Sequence, residues 1–170
     1  MHADQRQKQP LLSAVIPFLN EEQCIPALIA ELDRSLSKLR IPFELVLVDD
    51  GSRDRSVAVA KAELNKRPQI TATILSLSRN FGKEAALTAG LEATHGDVVV
   101  PLDADLQDPP AIINEMLAHW REGYDVVYAV RRQRAGESKT KRFTAYGFYR
   151  LMSRLSKTGI PADTGDFRLM

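Results

Sequence analysis

Val98-Val99-Val100-Pro101-Leu102-Asp103-Ala104-Asp105-Leu106-Gln107-Asp108-Pro109-Pro110 changes character twice within a short span. The valine run has the continuous apolar character of a buried strand. Two carboxylates at i and i+2 follow, and in an extended segment such a pair projects to one side. Two oxygen donors on one side of a strand end suit a hard cation that keeps several waters and also holds phosphates. Asp108 then reads as a helix N-cap with Pro109 at the first helical position. A strand that ends in a polar loop and runs into a helix is the repeating unit of an α/β sheet.

The rest of the chain repeats that unit. Upstream, the strand Thr71 to Leu77 leads through Ser78-Arg79-Asn80-Phe81-Gly82-Lys83 into a helix carrying Ala86, Leu87, Gly90 and Leu91, closed by Gly96. Before it, Leu45-Val46-Leu47-Val48 ends in Asp49-Asp50-Gly51-Ser52, and Val57, Ala60 and Leu64 mark a helix broken by Pro68. A first strand, Leu11 to Ile16, ends at Pro17. Asn20 with Gln23 has the form of a capping box, and Ile25, Leu28, Ile29, Leu32, Leu36 and Leu39 recur at helical spacing. Downstream, Ile112, Ile113, Met116, Leu117 and Trp120 give an amphipathic helix stopped at Gly123, and Tyr124 to Val130 reads as a fifth strand. The order predicts an α/β fold: a doubly wound, mostly parallel sheet with helices on both faces. Ligands of such sheets bind beyond the carboxyl ends of the strands. The loops Pro17–Glu22, Asp49–Ser52, Ser78–Lys83 and Asp103–Gln107 are therefore expected on one edge.

At 170 residues, 44% hydrophobic and 26% charged, the chain is one globular domain with enough length for a core. Neither disorder nor a fibrous repeat is suggested. Cys24 is the single cysteine, which rules out an internal disulfide and fits a reducing compartment. No apolar run reaches the roughly 18 residues of a membrane span, and the polar stretch from Met1 to Gln9 lacks the apolar region of a secretory signal. The net charge of +1 conceals an asymmetry. Residues 131–157 hold nine Lys or Arg against Glu137 alone, so this segment is +8 and the remainder −7. A basic segment on an acidic body points to phosphate, nucleic acid or an anionic membrane surface, or is simply a solvated helix. No nucleic-acid-binding motif is present. Helical spacing from Ala145 to Leu155 sets Phe148, Leu151, Met152 and Leu155 on one face, with Arg150, Arg154 and Lys157 on the other. That pattern suits a membrane interface, or a helix packed against the sheet.

Among the candidate site residues, Asp49-Asp50 read either as turn residues or as carboxylates that accept hydrogen bonds from a ribose or base. Asp103 and Asp105 read as metal and diphosphate ligands, with Gln107 adding a neutral oxygen or a hydrogen bond. Lys83 opens a helix beside Gly82, where a phosphate would also meet the helix dipole. Neither a Walker loop nor a Gly-x-Gly-x-x-Gly fingerprint occurs. His2, His95 and His119 lack metal-ligand spacing, and no Ser-His-Asp or Cys-His arrangement is readable. A response-regulator receiver would carry its acidic pair after the first strand, not the second. A nucleotidyltransferase would carry a glycine-rich loop where Pro17–Glu22 stands.

Five stretches together resemble glycosyltransferase family 2: Val15-Ile16-Pro17-Phe18-Leu19-Asn20-Glu21-Glu22, Val48-Asp49-Asp50-Gly51-Ser52, Ser78 to Leu87, Leu102 to Pro110, and Thr164-Gly165-Asp166-Phe167-Arg168-Leu169. Within that family of inverting GT-A enzymes the likeness is to polyprenyl-phosphate glycosyltransferases such as dolichyl-phosphate mannose synthase and bactoprenol glucosyltransferases. The resemblance implies a Rossmann-like nucleotide-sugar-binding core over residues 11–134, after a polar tail of residues 1–10. Residues 135–170 would begin an acceptor-side region, cut short inside a family motif. By the same resemblance Pro17, Leu19, Glu21, Asp49 and Asp50 line a nucleoside pocket, Leu19 standing where the family commonly has tyrosine. Asp103, Ala104, Asp105 and Gln107 hold the diphosphate and a Mg²⁺ or Mn²⁺, Arg131 lies near the sugar diphosphate, and Asp166 takes the position of the catalytic base. The implied reaction moves a sugar from a nucleoside-diphosphate sugar, UDP-glucose by preference, to a polyprenyl phosphate at the cytoplasmic face of the membrane. The alternatives are a hydroxyl acceptor on a polysaccharide or glycan, and a non-catalytic fragment that binds nucleotide sugar or a membrane surface.

Overall fold

The four central apolar runs form four parallel strands in the computed structural model, which describes residues 9–107, 109–129 and 167–170. Strands β1 (Leu12–Phe18), β2 (Phe43–Asp49), β3 (Thr71–Ser76) and β4 (Val98–Pro101) lie in the order β3-β2-β1-β4. Helices α1 (Ile25–Leu36), α2 (Ser56–Asn65), α3 (Lys83–Glu92) and α4 (Ile113–Arg121) follow β1 to β4 in turn. Every residue of β1 is buried, as expected of a central strand covered on both faces.

Strand parity divides the core. Ala14, Ile16, Leu45, Leu47, Val98 and Val100 pack with the apolar sides of α1 and α4 and with Ala60 of α2. Their strand neighbours Val15, Val46 and Val48 turn the opposite way, onto Ala86, Leu87 and Leu91 of α3. Helix α3 approaches closely at Gly90, where a Cβ would collide with side-chain methyls of Val15 and Val48. The doubly wound reading is therefore observed. Because β4 joins on the far side of β1 from β2, the winding direction reverses between β1 and β4. That reversal is the topological switch point at which α/β sheets bind ligands.

Several local expectations differ. Asn20 is not a helix cap: α1 begins at Ile25, and the Cys24 and Ile25 N–H groups donate to the Glu21 carbonyl. Asn20 sits at φ 56° and its Oδ1 accepts the Arg53 N–H at 2.8 Å, so a contact across two loops displaces the local box. Pro109 is extended (φ −71°, ψ 119°), and the helical path starts one residue later in a 3₁₀ turn, Pro110–Ile112. Its neighbour explains this, since a residue preceding proline is driven out of the α region. Asp108 lies outside the described residues.

The fifth strand is shorter than its apolar run. β5 (Val127–Tyr128) pairs antiparallel with β6 (Arg168–Leu169). Val99 and Met170 exchange backbone hydrogen bonds of 2.7 and 3.0 Å, which tie this pair to β4. Arg131, Asp166 and the basic segment 131–157 lie outside the described residues. Among the described residues no helix is long and apolar enough to cross a membrane.

Candidate functional site

Beyond the carboxyl ends of β1, β2 and β4 lies a cleft of ≈ 310 Å³. Pro17, Leu19, Glu21, Asp50, Lys83, Asp103, Ala104 and Asp105 line it, as do Phe18, Asn80 and Gly82. Two expected residues are elsewhere. Asp49 is buried, its Oδ1 accepting the Ser52 N–H at 2.8 Å to close the turn after β2. Gln107 is exposed and outside the lining. Phe18 was missed because nothing in an apolar strand residue marks it as facing a ligand. Asn80 and Gly82 lie in a loop legible as polar and glycine-bearing, but which of its residues turn inward depends on long-range contacts.

The loops are built by side chains gripping backbone. After β1, the Asn20, Glu21 and Glu22 N–H groups donate to Ser52 Oγ, Ser56 Oγ and Asp54 Oδ2. In return the Arg53 and Arg55 N–H groups donate to Asn20 Oδ1 and Glu22 Oε2. The Ser56 hydroxyl, together with backbone N–H groups of Ser56 and Glu22, holds the Asp54 carboxyl below the usual carboxylate range. Asp50 secures the third loop: its Oδ1 accepts the Phe81 N–H at 2.8 Å and its Oδ2 the Gly82 N–H at 2.9 Å. Gly51 (φ 76°) lies flat against that loop, where a Cβ would stand 2.5 Å from the Arg79 carbonyl carbon. Only glycine accommodates both the angle and the approach.

Asp103 and Asp105 both reach the cleft, but not as neighbours on a strand face. β4 ends at Pro101, and Asp103-Ala104-Asp105 form a turn closed by Leu106 at φ 57°. Buried Ala104 separates them. The Gln107 N–H caps Asp105 Oδ1 at 3.1 Å. Lys83, the first residue of α3, places its Nζ 2.6 Å from Asp103 Oδ1. Four carboxylates, Glu21, Asp50, Asp103 and Asp105, line the cleft beside Lys83. A hydrogen bond with Glu21 raises the Cys24 thiol above its ordinary value, helped by burial and by the charges of Glu21 and Asp105.

The donors fit a hard divalent cation. Asp103 and Asp105 offer oxygen only, and among the described residues no third His, Cys, Asp or Glu completes a closed cage. An oxygen set of this kind favours Mg²⁺ or Mn²⁺ over zinc or copper, and a two-carboxylate site leaves positions for water and phosphate oxygens.

Comparison with known proteins extends this picture. The family model described as Glycosyl transferase family 2 matches residues 13–170. An uncharacterized glycosyltransferase of Synechocystis is 49% identical over 94% of this chain and 49% of its own length. The bactoprenol glucosyl transferase of Shigella phage SfX is 41% identical over 94% of this chain and 52% of its own. The chain thus spans about half the length of the curated relatives it matches. Glucosyl-3-phosphoglycerate synthase of Mycobacterium tuberculosis, solved with Mn²⁺, UDP and phosphoglyceric acid, superposes with a TM-score of 0.68 at 24% identity, over 98% of this chain and 57% of that one. That likeness speaks to the fold. The family match over nearly the whole chain, with relatives well above 30% identity, shows that this chain belongs to glycosyl transferase family 2.

Proposed function

We propose that the cleft holds a nucleoside-diphosphate sugar and that the protein transfers the sugar to a polyprenyl phosphate, with inversion, at the cytoplasmic face of a membrane. One observation carries the reading: Asp103, Asp105 and Lys83 meet in a single cleft with Pro17, Glu21 and Asp50 at the switch point of the sheet. That arrangement supplies a metal-and-diphosphate end and a nucleoside end within one cavity. The donor preference is UDP-glucose, in line with relatives named as bactoprenol glucosyl transferases.

Each residue then has a task. Pro17, Leu19 and Glu21 border the nucleoside, and Asp50 fixes the Phe81–Gly82 backbone beside it. Asp103 and Asp105 would hold Mg²⁺ or Mn²⁺, which supplies charge neutralisation at the departing diphosphate. Lys83 adds a cation on the same side, and the family resemblance assigns Arg131 to the sugar diphosphate. A lipid phosphate acceptor is largely a dianion at neutral pH, since its second pKa is about 6, so it attacks with little help from a base. Asp166 is assigned the base position, a role that matters most for a hydroxyl acceptor. The basic segment 131–157 would draw the protein to anionic lipid.

A panel of UDP-, GDP- and dTDP-sugars tests the donor reading by thermal stabilisation with and without Mn²⁺. One nucleotide class is expected to stabilise only with the metal, by about 2.7 kcal/mol at a hundredfold excess over its Kd. Stabilisation by none of them would overturn the assignment. For Asp166→Asn, turnover near that of the parent on a lipid phosphate would remove the base role.

A further inference from the structure

The cleft's charges do not balance for an anionic donor. Among the described residues, Glu21, Asp50, Asp103 and Asp105 line it against one cation, Lys83, and that ammonium is engaged with Asp103 at 2.6 Å. A diphosphate brought to this arrangement meets excess negative charge. A divalent cation brought alone finds one of its two carboxylates already neutralised. Magnesium needs to come within about 2.1 Å of a carboxylate oxygen, and two cations crowding the same carboxylate repel each other strongly.

We propose that Lys83 is a charge-exchange residue: it neutralises Asp103 while no metal is bound, and passes to the donor diphosphate when a divalent cation takes Asp103. This rests on the nucleotide-sugar reading of the cleft. The geometry gives the side chain room to move. Lys83 is about half exposed (46%), and its stem is flexible with three donors at the tip. It follows Gly82, around which a Cβ would meet nothing within 4 Å. It also borders a second, smaller cavity of ≈ 50 Å³ shared with Asp103, Glu84, Phe167 and Arg168. The ammonium thus stands on the wall between two spaces, not packed into a core. Exchange makes metal and donor binding mutually supportive: metal displaces Lys83 from Asp103, and the displaced ammonium strengthens the hold on the diphosphate. Such coupling is reciprocal.

The distinguishing measurement is Mn²⁺ binding by electron paramagnetic resonance on the 170-residue chain, with and without UDP, for the parent, Lys83→Met and Lys83→Arg. With Mn²⁺ alone, Lys83→Met is expected to bind about two- to fivefold more tightly, the range of a half-exposed ion pair removed from competition. With Mn²⁺ present, UDP should bind the same variant about tenfold more weakly, as a charge-assisted contact to the diphosphate is lost. Lys83→Arg should restore most of the coupling between Mn²⁺ and UDP. Effects of opposite sign on metal and nucleotide carry the proposal, with unchanged melting temperatures excluding a folding artefact. Weaker or unaltered Mn²⁺ binding by Lys83→Met overturns the exchange while leaving the donor site intact. Failure of the parent to bind Mn²⁺ even with UDP overturns the donor-site reading itself, and the exchange with it.

Discussion

Asp50 shows how much one side chain can organise. Both of its oxygens accept backbone N–H groups, from Phe81 and Gly82, and it is buried. Asn at this position presents one acceptor and one NH₂ group, so an amide donor would face a backbone donor. Asp50→Asn should therefore cost about 1–3 kcal/mol, the penalty of a buried polar group left unsatisfied, and should speed hydrogen exchange at the Phe81 amide. The Gly82 N–H keeps Asn80 Oδ1 at 2.9 Å as a second acceptor. Unchanged protection at the Phe81 amide would contradict the role. Gly51→Ala strikes the same loop from below, through its positive φ and the backbone of Arg79. Arg168 behaves in the reverse manner. Among the described residues its Nε is buried with no hydrogen-bond partner, so there the folded state bears an uncompensated desolvation. Arg168→Met keeps the length of the side chain and removes that donor. Urea denaturation should place it within about 1 kcal/mol of the parent or above it, whereas a loss of more than 2 kcal/mol would mean the guanidinium is well paired.

At the scale of elements, the sheet's amino edge depends on a buried carboxylate. Glu44 of β2 is 5% exposed. It accepts the Ser13 hydroxyl at 2.6 Å and the His95 N–H at 2.7 Å, and so joins β1, β2 and the α3–β4 connection. Burial pushes its carboxyl up, but the Ser13 and His95 hydrogen bonds and the nearby His95 ring win and hold it below its ordinary range. A folded value below the unfolded one means stability fully present above the ordinary glutamate range and lost as pH falls through the folded value. Chemical denaturation across that acid window should show the loss, and Glu44→Gln should flatten it. An unaltered acid limb in the variant would assign the loss to other carboxylates. Contacts of this class mark the limit of what the chain declares. β1, β2 and β4 are legible because their burial demands continuous apolar runs, and α1 and α4 because apolar residues recur at helical spacing. β3, with no buried residue, and α2 and α3, with two each, are legible mainly from their place in the β-α alternation. The Asn20 misreading arises because a local cap competes with the Arg53 N–H across another loop. Pro17, Leu19 and Ala104 enter the cleft only through the family resemblance, while Glu21, Asp50, Lys83, Asp103 and Asp105 are legible as polar loop residues at strand ends. Their pairing is not: Lys83 and Asp103 are twenty positions apart in sequence, and only the sheet order brings them to 2.6 Å. Asp49 and Asp50 look equivalent in the chain, yet one closes its own turn and the other holds a distant loop.

On the scale of the whole molecule, the last described residues complete a core begun by the first strands. Phe167 and Leu169 are 3% and 0% exposed and join the cluster that contains Leu12, Leu117 and Trp120. Met170 pairs with Val99 of β4, the strand that leads directly to Asp103. β6 is too short to be recognised from its own sequence, and long-range packing gives it structure. If it belongs to the same cooperative unit as the parallel sheet, Leu169→Ala should destabilise the entire domain by about 2–5 kcal/mol, the range for emptying a buried leucine site. Trp120 fluorescence and far-ultraviolet circular dichroism should then report one coincident transition, shifted together to lower denaturant. The same shift should weaken the proposed Mn²⁺-dependent nucleotide binding only near the new midpoint, because the cleft loops are held by β1, β2 and their own hydrogen bonds. Separation of the two optical transitions would instead make β5, β6 and α4 a subunit that opens apart from the switch-point cleft. In that case Asp103 would be supported from the β1 side alone, through the bond from the Leu102 N–H to the Val15 carbonyl.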